Sequence, residues 1–168
     1  VKEDNFEEFG EIIASPEFDP MKEIPLENDS ILKFVCNSSS VTYLQVIAFF
    51  GAGKCFRLAF GDKRFDRKDV EIYAVAGANL KIIKALKGVG ISLDKCLNTA
   101  IQYHRDEIIW SGLLTEIPLE EIIEYFHYDA FFYSVQNFPQ SEKSLERSHE
   151  FARTNKLDIW TFAQNWID

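Results

Sequence analysis

At 168 residues the chain is long enough for one domain with a sizeable core and needs no disulfide or metal to hold it together. Eighteen Lys and Arg stand against 27 Asp and Glu, a net charge of −9 that opposes binding to nucleic acid or an anionic membrane surface and favours a basic or apolar partner. Three cysteines, far apart and without a C-x-x-C pair or a histidine at ligand spacing, argue against a disulfide framework and a metal site, and no apolar run reaches the ~20 residues that cross a bilayer. An intracellular, cytoplasmic protein without a cofactor is expected, with the nucleus left open.

The first expected element is a helix over about 4–15, where Phe6, Phe9, Ile12 and Ile13 recur at helical spacing and Ser15-Pro16 ends the run. It caps whatever follows, with its acidic side outward. Residues 21–30, bracketed by Pro20 and interrupted by Pro25, read as a connector.

Next comes "FFGAGKCF", in which Gly51-Ala52-Gly53-Lys54 looks like the end of a phosphate-gripping loop. A P-loop needs G-x-x-x-x-G-K-[ST], so that backbone N–H groups wrap the phosphates and a hydroxyl holds Mg²⁺. Here Ala48 takes the place of the first glycine and Cys55 that of the hydroxyl residue, and the segment before it reads as helix where a strand is required. The nucleotide reading therefore fails.

An internal repeat explains the stretch better. VIAFFGAGKCFRLAF (46–60), IYAVAGANLKIIKAL (72–86) and NTAIQYHRDEIIWSG (98–112) align with Ala48, Ala74 and Ala100 coincident, 26 residues apart. Phe56, Ile82 and Ile108 then coincide, as do Ala59, Ala85 and Ser111. Each copy has a short apolar stretch around a small residue, a polar or glycine-bearing break, and apolar residues at helical spacing such as Leu80, Ile82, Ile83 and Leu86. That grammar describes two helices joined by a turn, a unit that buries its apolar side only by stacking on neighbours. The Gly51–Lys54 stretch then falls in the turn, aligned with Gly77–Leu80 and Tyr103–Asp106. Gly88 and Gly90 stop one second helix, and Pro118 opens a further helix in PLEEIIEYF. A fourth copy is expected where Asn155–Trp160 follows the pattern of Ala78–Ile83, with a half-copy at 129–133 and a polar insertion, NFPQSEKSLERS, at 137–148.

The segment YAVAGANLKIIKALKGVGISLD resembles a divergent ankyrin repeat. Ala74-Val75 take the family's small pair, Ala76-Gly77 its two variable positions, Ala78-Asn79 its Gly-polar pair, and Leu80–Ile83 the start of its second helix. CLNTAIQYHRDEIIWSGLL is similar to the degenerate ankyrin-like repeats of some protist proteins. The usual 33-residue length and T-P-L-H-x-A signature are missing, and with them the residues that build the projecting β-hairpin. The resemblance thus implies an all-α, ankyrin-like solenoid of stacked helix-turn-helix pairs with short or missing hairpin fingers. It forms one domain over 1–168, with repeats at about 41–66, 67–94, 95–120 and 121–168.

The same resemblance implies a non-catalytic module that binds another protein on its concave face. The variable positions place Phe50, Gly77, Gln102, Tyr103 and Arg153 on that face, a mixed aromatic and polar set of the kind enriched at interfaces. For Tyr103, core packing remains the competing role. A helical enzyme or accessory domain using a His and acid pair is the alternative, and a structural spacer of a larger protein is a third. His104, His127 and His149 are the candidate general bases, but no nucleophile and orienting group accompany them in any local pattern. The acid pairs Glu7-Glu8, Asp106-Glu107 and Glu120-Glu121 diverge by about 100° around a helix, so they do not converge on one atom.

Overall fold

A computed structural model describes residues 4–27, 30–35, 37–111 and 119–125, together with positions 131, 134, 146, 147, 150, 153 and 154. The fold is mostly helical. The chain divides into two compact units, Val1–Thr99 and Ala100–Asp168, a division the sequence reading lacks.

In the first unit, α1 (Phe6–Ala14) starts at Asn5, whose side chain accepts the Glu8 N–H, and ends before Pro16, within the helix expected over about 4–15. Phe9 and Ile13 are its buried face, and it packs on α4. Gly10 faces Leu58 of α4, and a Cβ there would make only ordinary contact, 3.7 Å from Leu58 Cδ2, so the approach does not depend on glycine. Arg64 closes the other end of α1, donating to the Ile13 carbonyl at 3.1 Å while paired with Asp62.

The stretch expected as a plain connector instead contributes β1 (Ile24–Pro25), which pairs antiparallel with β2 (Ser40–Val41), and a short α2 (Ile31–Val35) lies between them. This two-stranded ladder is local to the entry of α3 and is not a projecting finger between helix pairs.

Two helix pairs follow, α3 (Tyr43–Phe50) with α4 (Gly53–Gly61), and α5 (Val70–Ala76) with α6 (Leu80–Gly88). A capping box starts α3: Gln45 N–H donates to Thr42 Oγ1 and Thr42 N–H to Gln45 Oε1, at 3.3 and 2.9 Å. The Gln45 amide then donates 2.9 Å to the Lys68 carbonyl, fastening the start of α3 to the chain that enters α5. First helix packs on first helix, α3 against α5, and second on second, α4 against α6. Helix α5 is the centre: Val70, Tyr73, Ala74, Val75 and Ala76 are all buried, and its small side chains allow close packing. Ile82, Ile83 and Leu86 form the buried face of α6, each worth about 1.5–3 kcal/mol in transfer from water.

A 3₁₀ turn (Asp94–Cys96) leads to α7 (Leu97–Gln102), within which the division between units falls. The second unit includes α8 (Asp106–Trp110) and α9 (Leu119–Glu124), with Ile108, Ile109, Ile122 and Ile123 buried. The expected insertion at 137–148 and the copy at 155–160 lie outside the described residues, apart from Glu146 and Arg147, which are helical and exposed.

Candidate functional site: the turns between paired helices

Each pair is joined by the same hydrogen-bonded turn. After α3, Ala52 N–H donates to Ile47 O and Gly51 N–H to Ala48 O; after α5, Asn79 donates to Ala74 and Ala78 to Val75; after α7, Arg105 donates to Ala100 and His104 to Ile101. These paired bonds end a helix through one left-handed residue and satisfy carbonyls that the helix leaves open. The left-handed positions are Gly51, Ala78 and His104, at φ of +71°, +57° and +51°.

This geometry corrects the repeat register. The backbone equates Ile47 with Ala74 and Ala100, so the first interval is 27 residues and the second 26. The buried positions agree, since Cys55, Ile82 and Ile108 correspond, and so do Phe56, Ile83 and Ile109. Gly51 therefore matches Ala78 and not Gly77.

Gly77 has a different task. It is right-handed, at φ −80°, and a Cβ there would overlap the Phe49 carbonyl oxygen. The turn after α3 is seated directly against this glycine, and Asn79 locks the contact: its Nδ2 donates 2.8 Å to Ala48 O and 2.8 Å to Phe49 O. A Cβ on Gly51 would overlap Asn79 Oδ1, so glycine is favoured there by the left-handed backbone, which Ala78 and His104 also adopt, and selected by the Asn79 side chain. Gly77, placed on the partner face by sequence, is accounted for by packing.

The phosphate-loop resemblance also has an answer. The N-terminus of α4 does hold an anion, and the anion is internal. Asp4 Oδ1 accepts the N–H groups of Lys54 and Cys55 at 2.9 and 3.0 Å, and Oδ2 accepts Lys54 at 3.1 Å. Burial resists ionisation of Asp4, but the backbone N–H groups of Cys55 and Lys54, with help from the Cys55 thiol and the Lys54 charge, hold its carboxyl below the usual carboxylate range. Burial, and then the hydrogen bond to Asp4, push the Cys55 thiol up. Cys55 and Cys96 are free and buried; Cys36 lies outside the described residues.

No known protein family, curated protein or solved structure matches the chain.

Phe50 closes α3 with 39% of its surface exposed and its ring edge-on to Phe49, 5.2 Å between centroids. In the second unit, Gln102 is exposed at the end of α7, Tyr103 is half-buried with the Arg105 guanidinium 5.9 Å from its ring centroid, and Arg153 is helical and exposed. His104 is exposed at a position fixed by its left-handed backbone; His127 and His149 lie outside the described residues.

A polar hollow of about 220 Å³ lies where β2 meets the chain entering α5. Among the described residues no histidine or cysteine lines it, and its polar groups serve each other: Ser40 Oγ donates 2.6 Å to Glu23, and Thr42 and Gln45 form the capping box. Among the described residues no group of three or more His, Cys, Asp or Glu is placed to hold a metal, and no helix is long and apolar enough to cross a membrane.

Sequence reasoning missed Asp4 and Asn79. Asp4 reaches about fifty residues along the chain, which no local pattern encodes. Asn79 left a trace, since Gly51 and Gly77 share the alignment column two positions before it and small residues mark close approach.

Proposed function

We propose that the chain is a non-catalytic protein-interaction module, an ankyrin-like stack of helix pairs that presents the ends of its first helices to a partner protein. The observation that carries this reading is the exposed aromatic Phe50 on a turn whose backbone is fixed from both sides, by the Schellman bonds below and by Asn79 above. A rigidly held aromatic costs little ordering entropy on binding, which is what an interface anchor needs.

The stacking of α3 on α5 and of α4 on α6 supports the repeat architecture. Gln102, Tyr103 and Arg153 are the corresponding contact residues proposed for the second unit, while Gly77 leaves the set. The buried free thiols Cys55 and Cys96 suit an intracellular setting.

The test is affinity capture from native cell extract with the intact chain and with Phe50→Glu and Tyr103→Glu variants, all melting at similar temperatures. A polypeptide retained by the intact chain and lost by the variants supports the assignment. Equal retention by all three removes Phe50 and Tyr103 from the interface.

A further inference from the structure

Every charged side chain on α4 and α6 is a cation. Helix α4 reads GKCFRLAFG and α6 reads LKIIKALKG, without an aspartate or glutamate in either, in a chain whose net charge is −9. Lys54, Arg57, Lys81, Lys84 and Lys87 are all exposed.

The two helices pack side by side, and equivalent positions carry the same charge. The second residue of each is Lys54 or Lys81, and the fifth is Arg57 or Lys84. At the eighth, α6 has Lys87 where α4 has Phe60. Phe60 is roofed by the guanidinium of Arg67, 4.4 Å from its ring centroid, which also donates 2.6 Å to the Phe60 carbonyl. The missing cation is thus supplied from the following loop. Residues three apart share a helix face, and packed helices lie about 8–10 Å apart, so three rungs of two cations occupy an area about 10 Å on a side.

Two carboxylates near the ends of α4 are already engaged, and only Lys54 of the grid shares the charge of one of them, Asp4. Asp4 is held by backbone N–H groups and Asp62 by Arg64. Like charges gathered so closely repel one another, and no described carboxylate pairs with Arg57, Lys81 or Lys84.

We propose that the outer face of α4 and α6 binds an acidic peptide segment of a partner protein. Net charge alone favours a basic or apolar partner, but screening limits each charge to about 8–10 Å, so this face acts through its own sign. Leu58, 39% exposed beside Arg57, adds an apolar contact that a peptide carrying apolar residues between its acids would use. A long polyanion suits the face less well, because α1 packs against α4 and exposes Glu7, Glu8 and Glu11. The surface uses none of the residues assigned to the turn interface and stands independently of Phe50.

The experiment is fluorescence anisotropy with the full chain and a labelled 15-residue peptide of glutamate and leucine at helical spacing. Saturable binding is expected, weakened at least about tenfold by Arg57→Glu/Lys84→Glu, less by Arg57→Gln/Lys84→Gln, and further by raising salt from about 0.05 to 0.3 M. Lys22→Glu, an exposed charge reversal elsewhere, and Phe50→Glu leave it unchanged. The glutamine pair keeps the test valid if the double reversal disturbs folding. Absence of binding, or binding indifferent to both variant pairs, overturns the proposal. So does equal or tighter binding of single-stranded DNA of the same length or of anionic phosphatidylserine vesicles. Loss of binding in Phe50→Glu alone overturns this surface while leaving the turn interface standing.

Discussion

Asn79 donates from one side-chain amide to the carbonyls of Ala48 and Phe49, both at 2.8 Å, thirty residues back along the chain. A helix end leaves its last carbonyls without intrahelical donors, and here the next helix pair satisfies two of them. The same residue thereby sets the distance between successive turns. Asn79→Ala is expected to destabilise the chain by about 1–3 kcal/mol, the cost of taking the donor from the Phe49 carbonyl and leaving that of Ala48 with only the long bond from Gly51. Asn79→Asp should cost more, because it turns a donor into a charged acceptor facing two carbonyl oxygens. Chemical denaturation of the two variants checks the order; an aspartate milder than the alanine would show that the amide contact does not hold the turns together.

The corrected register makes opposite predictions for two adjacent residues. Ala78 sits in the left-handed region at φ +57°, which glycine adopts without a Cβ penalty, so Ala78→Gly should be neutral or stabilise by up to about 1 kcal/mol. Gly77→Ala must displace the Phe49 carbonyl and should destabilise. Gly53→Ala meets nothing within 4 Å and is expected to be tolerated, which it would not be if Gly53 served a phosphate loop. Melting temperatures of the three variants decide between the two alignments.

Asp4 gives the fold a defined pH dependence. Its folded carboxyl is depressed below the ordinary value of 3.8, so the stability it contributes is present above that value and lost as pH falls through the folded one. Asp4→Asn should therefore lower stability at neutral pH and narrow its gap to the parent chain in strong acid. An unchanged gap from neutral to acid would mean that the carboxylate charge does not matter at the start of α4.

Cys55 works in the other direction. Its folded thiol is raised above 9.0, so its contribution is complete below that pH and falls away as pH rises through the folded value. Alkylation of native Cys55 should be slow at neutral pH and should accelerate with unfolding, since the thiolate is the reactive form and the side chain is fully buried. Mass mapping of iodoacetamide-treated protein before and after denaturation measures this directly.

The paired helices were legible because their apolar residues recur at helical spacing: Ile82, Ile83 and Leu86 are the buried face that the spacing predicts. The register was not, because alanine recurs at 26 residues while the backbone aligns Ile47, not Ala48, with Ala74. Similar side chains were matched where hydrogen bonds were needed. Helix α2 escaped notice because ILKFV is five residues long and turns Ile31 and Phe34 outward, leaving only Leu32 and Val35 buried. Of the candidate site residues, Phe50 was legible as exposed and aromatic, whereas the packing role of Gly77 was not, because the Phe49 carbonyl that fills its Cβ position comes from a distant part of the sequence.

The central claim is that the turn at Phe50 meets another polypeptide. The most direct measurement places a photo-crosslinking amino acid at position 50 and, as a control, at Ile12, which is exposed on α1, and irradiates both proteins in cells. The account predicts a discrete covalent adduct with a second polypeptide from position 50 and none of that mass from position 12. Adducts of the same mass and yield from both positions, or none from position 50 at comparable expression, would contradict it.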